Sequence, residues 1–219
     1  MKREVLIAGG TGYIGTRLVA ALIARGHHVR VLARAASIDR VPAGAQAVIG
    51  NALDARSIEA ALSGADTLIH LIGTAHPGPG KADEFVSVDL ASARAAALAA
   101  SRTSIAHFVY VSVAQPAPVM KAYVATRVEA ENAIRATGVA ATIVRPWYVL
   151  GPGHWWPIVL LPFYALARSI PPTRDTAERL GLVTLAQMVD ALVRAVESPP
   201  GRDEVRIVDV PAIRGRTSG

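Results

Sequence analysis

Short apolar runs alternate along the chain with longer stretches whose apolar positions recur every three to four residues. That alternation predicts the order of elements. Glu4–Ala8 reads as a strand that runs into glycines. A helix follows over about Tyr13–Arg25, closed by Gly26 in the manner of a left-handed C-cap. His28–Ala33 reads as a second strand, Ala47–Ile49 as a weak third and Ala55–Leu62 as a short helix ended by Ser63-Gly64. Thr67–Ile72 is a continuous apolar run, the pattern of a strand covered on both faces. Asp83–Ser101 predicts a long Ala-rich helix, His107–Val113 a fifth strand, Lys121–Thr137 a helix stopped by Gly138, and Ala141–Val144 a sixth strand. A helix over Leu185–Val196 and a strand over Val205–Val208 complete the series, and Arg214–Gly219 reads as a tail. Repeated β-α alternation predicts an α/β fold: a doubly wound parallel sheet with helices on both faces and right-handed crossovers.

Composition narrows the class. The chain has 219 residues, 52% of them hydrophobic and 18% charged. That is enough apolar surface for one core and too much for a disordered chain. The expectation is a single domain over 1–219, with a nucleotide-binding core at 1–145, a covering region at 146–213 and a tail at 214–219. No cysteine is present, which excludes a disulfide scaffold, a thiolate metal site and a catalytic thiol. The net charge is +6, and only Lys2, Lys81 and Lys121 are lysines among 23 basic residues. The arginines are dispersed, with no nucleic-acid motif and no interleaved aromatics, so no nucleic-acid partner is expected. The start of the chain carries no leader pattern, and no uninterrupted apolar run reaches the length of a membrane span. The expected location is cytoplasmic.

The glycine run carries the first chemistry. Gly9, Gly10, Thr11, Gly12, Tyr13, Ile14 and Gly15 lie between the first strand and the first helix. They fit the spacings Gly10-x-Gly12-x-x-Gly15 and Gly9-x-x-Gly12-x-x-Gly15 at once. A turn without Cβ atoms lets backbone approach a pyrophosphate, and a helix start offers free N–H groups. The second strand ends Val31-Leu32-Ala33-Arg34, with no acid before Asp39. An acid there would accept from the ribose hydroxyls of NAD. An arginine fork suits a 2′-phosphate, so NADP(H) is the expected cofactor, with NAD(H) as the alternative. Arg17 is a weaker candidate for the same anion. Leu71, Ile72 and Gly73 leave the fourth strand at its carboxyl end, where ligands bind in this architecture.

Further along, Ser112 lies at the end of the fifth strand. Tyr123 and Arg127 are four apart at a helix start, so they share a face. Together with Glu131, Val144-Arg145-Pro146 and Gly151-Pro152-Gly153, these residues resemble an atypical short-chain dehydrogenase/reductase. Within that superfamily the chain is similar to the NmrA-like, epimerase/dehydratase-like and complex I accessory-subunit groups, over residues 4 to about 210. The resemblance implies a Rossmann-type sheet with a small C-terminal substrate region. It also implies a tyrosine that exchanges a proton as hydride moves, eased by a nearby cation. Tyr123 takes that role, Ser112 orients the substrate, and Arg127 stands where the family has a lysine that holds the nicotinamide ribose. Asp89 stands where active members carry asparagine. The resemblance further implies that an acid in the Asn51–Asp54 stretch accepts from adenine; Asp54 would equally serve as a helix N-cap. Arg145-Pro146 is expected to shape the turn beside the cofactor.

From Pro146 to Ala167 there is no charged residue, and all three tryptophans fall there. Trp147, Tyr148, Trp155, Trp156, Phe163 and Tyr164 read as a wall for a hydrophobic substrate, as core, or as a membrane or protein contact between Trp147 and Tyr164. His154 is a lone histidine without a second ligand at metal spacing, and His27-His28 is assigned no function. The expected activity is oxidation or reduction of a hydrophobic carbonyl or alcohol. The alternative is a non-catalytic NAD(P)H-binding sensor or assembly subunit, motivated by the missing lysine and asparagine.

Overall fold

The computed structural model describes residues 1–75, 77–153 and 179–215. Its main sheet has seven parallel strands: β1 (Glu4–Ala8), β2 (His28–Ala33), β3 (Gln46–Ile49), β4 (Thr67–His70), β5 (His107–Val111), β6 (Ala141–Val144) and β9 (Val205–Val208). Their spatial order is β3-β2-β1-β4-β5-β6-β9. The chain therefore winds outward from β1 to β3, then returns across β1 to run outward the other way. The reversal lies between β1 and β4, and crevices for ligands form at such a point. Register aligns the carboxyl ends there: Ala8 pairs with Leu32 on one side and His70 on the other.

Each central strand feeds two cores because successive side chains point to opposite faces. Val5, Ile7, Val31, Ile69 and Val109 join one cluster, with Leu18, Val19 and Leu22 of α1 (Tyr13–Ala24) and Met188, Leu192 and Val196 of a later helix. Leu6, Ala8, Leu32, Leu68, Phe108 and Tyr110 join the other. That second face is covered by α2 (Ala55–Ala61), α4 (Ala91–Arg102) and α5 (Lys121–Arg135). Truncating one fully buried leucine such as Leu22 to alanine costs about 2–5 kcal/mol in sites of this kind.

Local signals set the ends. Gly26, at φ 80°, follows α1; its N–H donates to the Ile23 carbonyl at 2.8 Å and that of His27 to Leu22 at 3.1 Å, a Schellman closure. The strand expected to reach Ile72 stops at His70. Leu71 still donates to the Ala8 carbonyl at 2.9 Å, but beyond Ala8 the partner chain turns into the glycine loop. The long helix expected over Asp83–Ser101 is composite. A short α3 (Ala82–Glu84) passes into a π-helical stretch over Phe85–Leu90 and then into α4.

Two parallel strands lie outside the main sheet and outside the predicted series: β7 (Tyr148–Leu150) and β8 (Leu182–Thr184). α6 (Leu185–Glu197) begins at a capping box in which Thr184 Oγ1 accepts from Gln187 N–H and Gln187 Oε1 accepts from Thr184 N–H. A last turn, α7 (Val210–Ile213), precedes Arg214. The segment read as a tail thus begins inside the fold, for the Arg214 guanidinium donates to the Leu182 carbonyl. Residues 216–219 of that segment lie outside the described residues. No described helix is long and apolar enough to cross a membrane.

Candidate functional site

The glycine loop leaves β1 and turns into α1 at the sheet reversal. Gly9 has φ 91°, a left-handed conformation that favours glycine, and a Cβ on it would press on Leu71 and Ile72 backbone at 3.1 and 3.2 Å. Gly10 packs against the Val31 methyls. Gly15 has no room for a side chain: a Cβ there would overlap the Gly9 carbonyl oxygen and lie 2.7 Å from Gly10 Cα. Loop and helix are therefore in backbone contact. Gly12 is the N-cap of α1, with no side-chain cap and no acid in the first turn, so the helix start keeps free N–H donors and its positive end. Thr11, Tyr13 and Ile14 are half-buried; Ile14 packs on the core, and the Tyr13 hydroxyl lies against Gly151. Burial pushes the Tyr13 phenol up, with Arg17 opposing.

Arg34 follows β2, two positions beyond the residue paired with Ala8. It is exposed, and among the described residues its guanidinium has no hydrogen-bond or ion-pair partner. Asn51 and Asp54 are engaged locally. Asn51 Oδ1 accepts from Leu53 N–H at 3.0 Å, and Asp54 accepts from Arg56 N–H at 3.0 Å as the cap of α2. The capping alternative for Asp54 is the one built here.

Two of the three residues that the resemblance assigns to catalysis, Tyr123 and Arg127, lie on the inner face of α5. Tyr123, Arg127 and Glu131 recur every four residues and point the same way. Tyr123 is half-buried, its ring 5.0 Å from Phe85 and 5.2 Å from the Arg127 guanidinium carbon. Arg127 is buried and donates inward: Nη1 to Tyr110 Oη at 3.0 Å, to the Val111 carbonyl at 3.2 Å and to the Ile72 carbonyl at 3.4 Å, and Nη2 to Asp89 Oδ1 at 2.6 Å. Burial opposes its charge, but Tyr123, Tyr110 and Asp89 outweigh burial, and Arg127 holds its proton more firmly than a free arginine. Burial pushes the Tyr110 phenol up despite that guanidinium.

Ser112 is also buried, and its hydroxyl donates to Glu131 Oε1 at 2.6 Å. The same carboxylate accepts from Gln115 Nε2 at 2.7 Å and from Arg145 Nε and Nη2 at 3.0 and 2.5 Å. Pro146 is buried next to Arg145 and accepts from Ala114 N–H at 2.8 Å, which ties together the two segments that leave the carboxyl ends of the parallel strands β5 and β6. The structure thus brings Ser112, Tyr123, Arg127, Leu71–Gly73 and the glycine loop to one edge of the sheet. Asp89 stood in the sequence only as a departure from the family's asparagine, and Thr74 only as a neighbour of the Leu71–Gly73 segment. That the two bond to each other comes from a helix and a loop meeting in the folded chain. Glu131 was legible only as the third member of the α5 stripe.

Two histidines are buried in the sheet, His70 at the carboxyl end of β4 near Arg127 and His107 at the opposite, amino end of β5. His70 Nε2 contacts Ser92 Oγ at 3.1 Å, and burial followed by the Arg127 charge pushes its pKa down to about 3. His107 Nε2 contacts Thr142 Oγ1 at 2.9 Å, and burial, Arg3 and Arg206 push it down to about 4. Trp147 and Tyr148 are half-buried with rings 5.5 Å apart. His154, Trp155, Trp156, Phe163 and Tyr164 lie outside the described residues.

Comparison with known proteins agrees with this geometry. A ceramide reductase of Caulobacter vibrioides is 31% identical over 198 residues, covering 89% of this chain and 61% of its own length. A ketoreductase of Stigmatella aurantiaca, named for a 4-farnesyl-dihydroquinoline oxide, is 28% identical over 170 residues, covering 68% of this chain and 51% of its own length. The chain thus spans less than two thirds of these curated relatives. Among solved structures, a short-chain dehydrogenase/reductase superfamily protein of Agrobacterium tumefaciens with bound NAD superposes with a TM-score of 0.66 at 17% identity, covering 96% of this chain and 80% of that one. UDP-N-acetylglucosamine 4-epimerase of Bacillus cereus gives a TM-score of 0.70 at 16% identity, covering 94% and 78%. At those identities the likeness is one of fold. The family model described as NAD(P)H-binding matches residues 9–152, more than half of the sequence, and the chain belongs to that family.

Proposed function

We propose that this protein binds NADP(H) and reduces a carbonyl group on an apolar substrate, or oxidises the matching alcohol. The observation that carries the cofactor choice is Arg34, exposed and without a partner among the described residues, at the carboxyl end of the strand beside the glycine loop. A guanidinium fork there matches a 2′-phosphate, whereas the acid that would accept from a free 2′-hydroxyl is missing. The loop fits the group: without side chains at Gly9 and Gly15 the turn packs directly on the Leu71–Ile72 backbone and on the first turn of α1, and that helix start offers uncapped N–H donors to a pyrophosphate. When bound, the nicotinamide supplies or accepts the hydride. Tyr123 gives its proton to the carbonyl oxygen as the carbonyl carbon is reduced, or takes one from the alcohol in the reverse direction. Ser112, held by Glu131, faces the same edge and orients that oxygen. The lipid-like compounds in the names of the ceramide reductase and the farnesyl-quinoline ketoreductase support an apolar substrate, as does the uncharged stretch that begins at Pro146.

The test begins with titration of NADPH and NADH against the protein. Oxidation of the tighter one is then followed with long-chain and prenylated ketones. Tyr123→Phe should abolish turnover while leaving nucleotide affinity unchanged. Turnover by that variant at the native rate removes Tyr123 from the reaction.

A second reading, a cofactor-binding module without turnover, is favoured by one observation: Ser112 and Arg127 both donate to protein acceptors. Nucleotide binding without oxidation across the ketone panel supports it.

A further inference from the structure

The two departures from the family pattern, Arg127 for lysine and Asp89 for asparagine, meet in space. Asp89 sits on the π-helical stretch and is fully buried; Arg127 sits on α5 and is buried as well, with 2.6 Å between Nη2 and Oδ1. The other carboxylate oxygen, Oδ2, accepts from Thr74 N–H at 2.8 Å and from Thr74 Oγ1 at 2.6 Å. Arg127 reaches the same loop from behind, donating to the Ile72 carbonyl, and a Cβ on Gly73 would overlap its Nη2. Gly73 itself is exposed. A single layer of backbone, Ile72-Gly73-Thr74, therefore separates the buried pair from the open carboxyl edge of the sheet. The packing repeats one helical turn earlier, where Phe85 meets Tyr123.

We propose that Asp89 is a positioning residue: paired with Arg127, it seats the Ile72–Thr74 segment against the tyrosine-bearing helix and so sets the floor on which the cofactor rests. This rests on the cofactor reading above. The physical reason lies in the count of donors. Three donors converge on Asp89: Arg127 Nη2, Thr74 N–H and Thr74 Oγ1–H. A carboxylate has two oxygens to receive them, and the charge strengthens each bond. An amide has one oxygen, so an asparagine beside an arginine leaves a donor facing an NH2 group. An aspartate at 89 therefore suits an arginine at 127 better than an asparagine does. A lysine at 127 would not span Tyr110, Ile72 and Asp89 together, because an ammonium lacks the planar fork.

The test uses two variants of the full chain. Asp89→Asn should speed amide hydrogen exchange across residues 72–74 in the nucleotide-free protein by about tenfold or more, the effect of losing one charge-assisted hydrogen bond. It should weaken NADPH binding by a similar factor. The double variant Asp89→Leu with Arg127→Met removes the buried charges together, which keeps such sites folded. It should recover the melting temperature while exchange at 72–74 stays fast and NADPH affinity stays low. Native exchange in Asp89→Asn, or native affinity in the refolded double variant, overturns the proposal. If the native protein binds neither NADPH nor NADH, the cofactor reading fails by itself, and the exchange arm then decides whether Asp89 holds the loop.

Discussion

Lowering the pH from 7 to 5 should destabilise the folded protein through two histidines that cannot charge inside it. In the native state His70 is pushed down to about 3 and His107 to about 4, both chiefly by burial. In the unfolded chain each titrates near its ordinary value of about 6.5. The sign follows from proton counting. Between those values the unfolded state binds a proton that the native state refuses, so stability falls as pH drops below about 6.5. It goes on falling until the pH reaches the native values. Each histidine then contributes a loss of about 2 kcal/mol between pH 7 and pH 5, and the two together about 4 kcal/mol. That is a large share of the roughly 5–15 kcal/mol that holds a domain folded. Urea denaturation at the two pH values measures it directly. His70→Gln retains an amide for Ser92 and cannot titrate, so about half of the pH-dependent loss should vanish in that variant. An equal loss in His70→Gln and the native protein would refute the reasoning, since other titrating groups are common to the two.

Gly15→Ala puts a methyl group onto backbone of Gly9 and Gly10, which cannot rotate aside. It should lower stability by about 1–3 kcal/mol and displace the loop, with loss of nucleotide binding seen by isothermal titration. Arg34→Glu should weaken NADPH binding by about 10–100-fold and leave NADH within a few-fold, because only the former carries the 2′-phosphate. Equal loss for both nucleotides would place Arg34 elsewhere. Glu131→Ala strips the partner from the Arg145 guanidinium and from Ser112 in a buried setting. It should cost about 3–5 kcal/mol in urea denaturation, whereas a surface pair such as Arg94–Glu129 should cost under about 1 kcal/mol.

The main sheet was legible because its signals are local. Val5 to Ala8 is apolar without interruption, and β4 from Thr67 to His70 carries no formally charged acid, lysine or arginine around Leu68-Ile69, the pattern of strands covered on both faces. Gly26 and Gly138 marked helix ends for a reason internal to the chain, both having positive φ. The small β7–β8 sheet was not legible: each strand has three residues, and each exists through the other across a long separation. The π-helical stretch was hidden too, since Phe85–Leu90 has an ordinary helical composition. It carries Phe85 and Asp89, which meet Tyr123 and Arg127 of α5.

The candidate site divides along the same line. By itself the sequence determined the doubly wound class, the glycine loop and the position of Arg34, because spacing along one strand-turn-helix unit sets all three. It also placed Tyr123, Arg127 and Glu131 on one stripe, since α-helical geometry brings every fourth residue to the same face. Only the tertiary structure decided what that stripe does. Arg127 turns its charge to Asp89 rather than outward, and Glu131 takes the Ser112 hydroxyl and the Arg145 fork. The physical reason is that a buried charge is stable only with a partner. Which partner it finds depends on elements 14 to 38 residues away in the chain, a distance that no local pattern records.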